Sequence, residues 1–552
     1  MRRPRDVPES YRRHLASAAH PPTSALTPRS LAFGLWLAAA MGAVGPYIAL
    51  YMQGSNSGGL YYINPLAHFL FLILVGIVNT ALAAWRPAWA LQRGELIAVY
   101  ILMILANSTF SLVFYFVPIL SGAFYYATPE NQFHLLHPHI PEWIAPRDIE
   151  ALTALYEGAE AVESTALWKV WAAPLLCWLP LLAAVQVGTL SLMVLLRRQW
   201  SQHEHLPYPL IQVPLAMIED GDGALKPFFR RAPVWLGFAV PVAVLGFQGL
   251  HAYFPGLPPI ALSRSLPVFG GASLQLFIHF GAIGFFYLVN REIAFSLWVF
   301  SLLNTLQVGV FNISGWGGKM PAVSDWTYTH HHIAHQSVGA MAVLVLGGLW
   351  MARGHLGQVV RKAFTPAPEI DDSDEIIPYR GALFALAASV AVIAGWLYLA
   401  GIPPLAISLF LFLVFVIFVA LTRLCAEGGV ATLFPPMVAP DVTVSILGSG
   451  ALGAPGLTGL LFSRVWANDI LNFSMPHCAN GLKLGEQLGR KRGWMFAAML
   501  AAALLAAATG TFSLIEICHA YGGLPVPALH LAAAGGMRLR RLPDPAAVGS
   551  RG

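Results

Sequence analysis

The sequence predicts an all-α, polytopic transmembrane helix bundle. Three observations predict it: long uncharged apolar runs recur along the whole chain, short Lys/Arg clusters separate them, and proline or glycine interrupts several of them. Of 552 residues, 57% are hydrophobic and 11% charged, with 40 Pro and 51 Gly, and the mean hydropathy is +0.63. Soluble domains carry about 25% charged residues, so this chain cannot cover a globular surface with polar groups. Its length would suit three or four soluble domains of roughly 150 residues, but the apolar runs never stop, which predicts one membrane-embedded body.

A spanning helix needs about 20 apolar residues, because hydrocarbon offers no partner for free backbone groups. Stretches that meet or approach this are 30–52, 65–85, 96–126, 170–196, 233–255, 272–290, 293–313, 333–352, 381–400, 402–422 and 493–515. Residues 428–466 are apolar but broken by Pro435, Pro436, Pro440, Pro455 and a Gly-rich stretch at 448–459. That region reads as a hairpin or two half-helices. With it, about 12–14 membrane segments are expected, some broken or re-entrant, in a single transmembrane domain over 30–520. An arginine-rich tail, 1–29, precedes that domain and a tail, 521–552, follows it. The run after residue 29 is too long for a signal core and is taken as the first span.

The positive-inside rule orients these spans. A cytoplasmic N-terminus puts Arg86, Arg93, Arg197, Arg198, Lys226, Arg230, Arg231, Arg291, Arg353, Arg361, Lys362, Arg380 and Arg423 inside. It leaves the loop 53–64 uncharged and puts the loop 127–167, with seven acids against Arg147 alone, outside. Loops 197–232 and 353–380 are then cytoplasmic. Arg490, Lys491 and Arg492 also fall inside if 428–466 crosses an even number of times or dips in and returns. The tail breaks the pattern, since it follows an outward span yet carries Arg538, Arg540 and Arg541. The reading is a multi-pass protein of a bacterial cytoplasmic membrane.

Composition also excludes some functions. The net charge of +5 is small for this size, and the basic residues sit at the ends of apolar runs, so no nucleic-acid partner is expected. Cys177, Cys425, Cys478 and Cys518 show no CxxC spacing, which indicates neither a disulfide framework nor a zinc site. No cofactor is expected. The partners are the bilayer, a small solute and a coupling ion, with a homo-oligomer left open.

Three segments carry chemistry. In 197–222, RRQWSQHEHLPYPLIQVPLAMIEDGD, Pro207, Pro209 and Pro214 forbid one regular helix; the alternative is a plain cytoplasmic elbow. In 423–441, RLCAEGGVATLFPPMVAPD, a basic residue, an acid and a proline-broken apolar stretch repeat that layout. Paired interrupted segments point to a transport site, because unwound backbone can replace a solute's hydration shell. Glu427 and Asp441 flank apolar sequence, and an acid at membrane depth suggests proton coupling; the bland reading of Glu427 is an interfacial pair with Arg423. In 312–336, NISGWGGKMPAVSDWTYTHHHIAHQ, Gly315, Gly317 and Gly318 suit a loop folded back toward the core. The string GWGGKM lacks Walker spacing. His331 and His335, four apart, could hold a divalent metal with Asp325, against ordinary interfacial packing or a proton relay. The acidic run Asp371, Asp372, Asp374 and Glu375 reads as a solvated linker, and 467–492, with Asp469, His477, Asn480, Lys483 and Glu486, as a solvated cytoplasmic loop.

At these residues a family resemblance enters. EHLPYPLIQVPLA, 204–216, resembles the leucine-[Thr/Pro]-[Tyr/Phe]-Pro signature of the oligopeptide transporter superfamily. GWGGKMPAVSDWTY, 315–328, resembles its Gly-rich loop ending in Asp-Trp, and TRLCAEGGVATLFPP, 422–436, its Arg–Gly–Glu region. QRGELIAVYILMILANS, 92–108, and YATPEN, 126–131, resemble uncharacterised bacterial membrane proteins distantly similar to that superfamily. The resemblance implies a secondary, proton-coupled transporter for peptides or peptide-like metal chelates. It depends on short motifs, and Pro207 and Leu210 replace residues more usual in its peptide-transporting members.

The expected solute path therefore holds Glu204, Pro207, Tyr208, Pro209, Gly315, Gly317, Gly318, Asp325, Pro435 and Pro436, with Glu427 and Asp441 for proton coupling. The rival class is a membrane-embedded enzyme on a lipid-linked substrate, with 127–167 and the His/Asp cluster at its outer face. No HExxH or GxSxG motif supports it, and 53–64 holds no acid. A structural subunit of a membrane complex is the third reading.

Overall fold

The computed structural model describes residues 27–50, 65–158, 164–220, 225–315, 331–430, 435–467, 474–489 and 493–523. It is a helical bundle. Among the described residues, eleven helices are long and apolar enough to cross a membrane. Most stand where the apolar runs predict them: Pro28–Ile48, Leu66–Trp85, Trp168–His203, Ala232–His251, Arg291–Ile313, His331–Met351, Tyr379–Leu399, Pro404–Gly428 and Gly493–Tyr521.

The centre is Arg93–Tyr125, whose apolar window is wholly buried. It consists of two helices, Arg93–Asn107 and Phe110–Tyr125, joined at Ser108 and Thr109. Ser108 and Thr109 turn their hydroxyls onto the carbonyls of Leu105 and Ala106, the local bonding that competes with a continuing helix ladder. A capping box of Gln92 and Glu95 starts the first helix, and Thr27 donates to Glu95 at 2.6 Å, tying the first span to it.

Contacts fix which loops share an end. Arg29 bonds the Ala88 carbonyl, Arg93 pairs with Asp220, and Arg198 bonds the Asp371 carbonyl. The expected inner loops thus meet at one basic end. At the other, Trp178 donates to the Ile144 carbonyl, and Gly522 lies against Tyr156 and Glu157. Cys177, whose carbonyl accepts from Trp396 near that other end, is twenty residues from Arg197, or about 30 Å along the helix. That is the thickness of a bilayer's hydrocarbon core.

Two expectations are corrected. Residues 272–290 are not a helical span: an antiparallel hairpin, Ser263–Pro267 with Ser273–Phe277, leads into a short helix, Phe280–Phe286. Gly270 at its tip lies against Gly309, with φ +57° and no room for a Cβ beside the Gly309 carbonyl. The polar stretch 467–492 is not a solvated loop either. Its described part holds a buried helix, Met475–Gly485, packed against Arg93–Asn107, Ser164–Arg198 and Pro404–Gly428.

Candidate functional site

The broken region bears out a hairpin in shape. Ala439–Ala467 is helical except at Gly448 (φ 76°, ψ 159°) and Gly453 (φ 64°, ψ 175°), which divide it into two arms. The arms run antiparallel, because Asp441 near the start of the first pairs with Arg464 near the end of the second. The tip sits at the end opposite the basic one: Pro455, Gly456 and Gly459 pack on the 400–403 turn. Arg464 is five residues beyond Gly459, about 8 Å below that turn. Asp441 and Arg464 are 1% and 9% exposed as side chains, and the Arg464 Nη1 has no hydrogen-bond partner. Pro435 is buried and Pro436 half-buried on the approach to the first arm, where the described residues 429, 430 and 435–438 are non-helical.

Met475–Gly485 continues toward the basic end. Ser474, at its start, bonds Gln186 and Thr189 of Ser164–Arg198, about halfway between Cys177 and Arg197. Its far end reaches the basic side, where Lys483 donates to Ser201 and pairs with Glu486 at 2.7 Å.

That side holds a second cluster. Arg197 grips Glu375 with two bonds of 2.7 Å and reaches Glu486 at 2.9 Å. Ser201 donates to Glu486 at 2.7 Å and Tyr379 to Glu375 at 3.3 Å. Burial alone would raise the Glu486 carboxyl; the Lys483 ammonium, Ser201 hydroxyl and Arg197 guanidinium outweigh it and hold the group below its ordinary range. Glu375 is thus no linker residue: its side chain is 2% exposed.

Of the predicted solute-path residues, Glu204, Pro207, Tyr208 and Pro209 gather here. Glu204 pairs with Arg423 at 2.6 Å. Tyr208 is left-handed (φ 45°) and donates its amide to the Ala426 carbonyl at 2.9 Å. Gly429 is left-handed too (φ 62°), and a Cβ there would stand 2.6 Å from Pro209. The two proline-broken segments are therefore in contact at the basic end. Gly429→Ala is expected to cost about 1–3 kcal/mol, from backbone strain and the Pro209 clash; thermal unfolding of the purified protein measures it.

Other predicted residues lie elsewhere. Glu427 is 44% exposed and pairs with Arg423 across one helical turn at 3.3 Å, the ion pair that its bland reading expected, whereas Asp441 is buried. Gly315 is left-handed (φ 77°), with open space beside it. Gly317, Gly318 and Asp325 lie outside the described residues. His335 uses Nδ1 on the His331 carbonyl and Nε2 on Ser445, both at 2.8 Å. Both ring nitrogens are thus engaged, and among the described residues no group of three or more His, Cys, Asp or Glu could hold a metal.

Sequence reasoning missed Arg464, Glu375 and the helix Met475–Gly485. Arg464 had a signal, a lone cation within the broken apolar region. The buried helix had a weaker one, Pro476 two residues after Ser474, the usual place for proline at a helix start.

Interrupted helices around buried ion pairs, in a bundle as thick as a bilayer, define a multi-pass helical membrane protein. A family of unknown function, DUF6785, matches residues 20–542, and the chain belongs to it. No curated protein and no solved structure matches it.

Proposed function

We propose that this protein is a secondary active transporter, proton-coupled, moving a small solute across a bacterial cytoplasmic membrane with its N-terminus inside. The observation that carries this reading is the Asp441–Arg464 pair, buried between two antiparallel arms that glycine breaks apart. Charges at such depth are costly and mark solute or ion pathways, and discontinuous helices meeting inside the bundle are the usual architecture of such sites. Asp441 is the coupling acid: protonation would release Arg464 and let the arms part. The contact of 204–211 with 423–430, the two segments resembling the oligopeptide transporter superfamily, supports the same reading. A peptide-like or chelate-like solute follows from that resemblance.

Two cavities, one lined by Met41, Asn107 and Gly510 and one by Trp200, Gly348 and Arg423, have about 10 Å³ each, room for a single water. Neither admits a solute; in this reading the basic-end ion pairs form the inner gate. The test is flux in proteoliposomes. Uptake of short peptides or their metal chelates should require an inward proton gradient and disappear in Asp441→Asn. Uptake that ignores the gradient, or survives in Asp441→Asn, would sink the coupling assignment. Turnover of a lipid-linked donor with no solute movement would replace transport with enzymology.

A further inference from the structure

We propose that the first turn of the helix Met475–Gly485 is a buried binding site for a carboxylate group, with His477 taking up a proton as the anion enters. The proposal deepens the transport reading and rests on it for the role of the bound group.

The turn carries buried polar atoms that the protein itself leaves unpartnered. Ser474 occupies the N-cap position, but its hydroxyl goes to Gln186 instead of capping the helix. His477 is 4% exposed, and neither ring nitrogen has a partner. Asn480, three residues on and on the same face, is 2% exposed; its Nδ2 donates to the Pro476 carbonyl at 2.8 Å while Oδ1 is unpartnered. An orphaned buried polar atom costs about 1–3 kcal/mol, and three of them share this face. Such a cost is what a site holding a ligand in another state would show.

The surroundings favour an anion. A helix N-terminus carries partial positive charge, and no acid lies on this turn. Elements packed around it bring few charges. Pro404–Gly428 brings the Cys425 thiol to 3.8 Å from Asn480. Ser164–Arg198 brings the neutral Gln186 and Thr189. Arg93–Asn107 and Gly493–Tyr521 bring Ile101, Leu105 and Met499 to Gly481. Lys483 and Glu486, further along, are tied to each other and to Ser201 and Arg197. In dry surroundings an imidazolium and a carboxylate are each costly alone and stabilise one another as a pair. Anion and proton therefore enter together, the proton moving from water to a ring nitrogen, and the pair crosses with no net charge.

Acetate, the smallest carboxylate, tests this on the full chain in detergent, with acetamide as its uncharged match. Acetate should raise the thermal midpoint saturably, with proton uptake visible by calorimetry in buffers of different ionisation enthalpy. His477→Gln should abolish the uptake and weaken acetate roughly tenfold or more. Asn480→Leu, which removes an orphaned atom, should raise the midpoint without acetate. The proposal is overturned if acetate produces no shift, if acetamide matches it, if His477→Gln keeps the proton uptake, or if Asn480→Leu lowers the midpoint. Acetate binding in a protein that moves no solute would remove the transport reading and leave the site; proton-driven solute flux untouched by His477→Gln would do the reverse.

Discussion

Asp441→Leu is expected to destabilise the protein by about 3–5 kcal/mol and to abolish flux, because it strands a guanidinium in a dry interior. Arg464 already has one unpartnered nitrogen, and its other terminal nitrogen meets Asp441. The double variant Asp441→Leu/Arg464→Leu should recover most of that stability, since replacing a buried ion pair by apolar side chains is often near neutral. It should not recover transport. Thermal unfolding and proteoliposome uptake, measured on the three proteins together, separate the two roles. A double variant as unstable as the single would mean that the pair holds the arms together by geometry, not merely by mutual neutralisation.

The second large effect belongs to Arg197. Arg197→Leu leaves Glu375, with its side chain 2% exposed, without its cation, at a cost of about 3–5 kcal/mol. Arg197→Lys should recover only part of this, because an ammonium cannot reproduce the two-pronged grip on Glu375 and also reach Glu486. The network also makes stability pH-dependent. The folded Glu486 carboxyl titrates below its ordinary range, so its contribution is complete above that range and disappears as pH falls through the folded value. Glu486→Gln should flatten this acid limb of the stability profile. An unchanged acid limb in Glu486→Gln would assign it to other carboxylates.

Much of the fold was legible because the bilayer leaves few options. An apolar run of the right length must satisfy its own backbone, so composition and spacing located most of the long helices. Which loops share an end was legible too: Arg86, Arg93, Arg197, Arg198, Arg361 and Arg423 cluster at helix ends, and the structure brings the expected inner loops to one side. Proline and glycine in 428–466 announced a break there, and Gly448 and Gly453 carry it. The segment 272–290 misled because apolar content alone does not distinguish a helix from an extended hairpin; Gly270 and Gly271, both left-handed, turn the chain there.

The polar core was far less legible. A run such as Asp371 to Glu375 looks solvated until the fold places Arg197, 178 residues away in sequence, against it. Likewise nothing local distinguishes a polar helix in water from Met475–Gly485, which is buried because three longer helices surround it. Glu427 and Asp441 looked equivalent, each an acid beside apolar sequence, and only the return of the second arm buried one and left the other at the surface. The sequence by itself determined that the chain has the long apolar helices of a multi-pass membrane protein, where most of them lie and where they break, since those follow from local hydrophobicity and backbone chemistry. Which charges meet, and which polar groups end up buried without partners, was decided only by tertiary packing. Those contacts join residues far apart in the chain, and their energies depend on burial that no local pattern encodes.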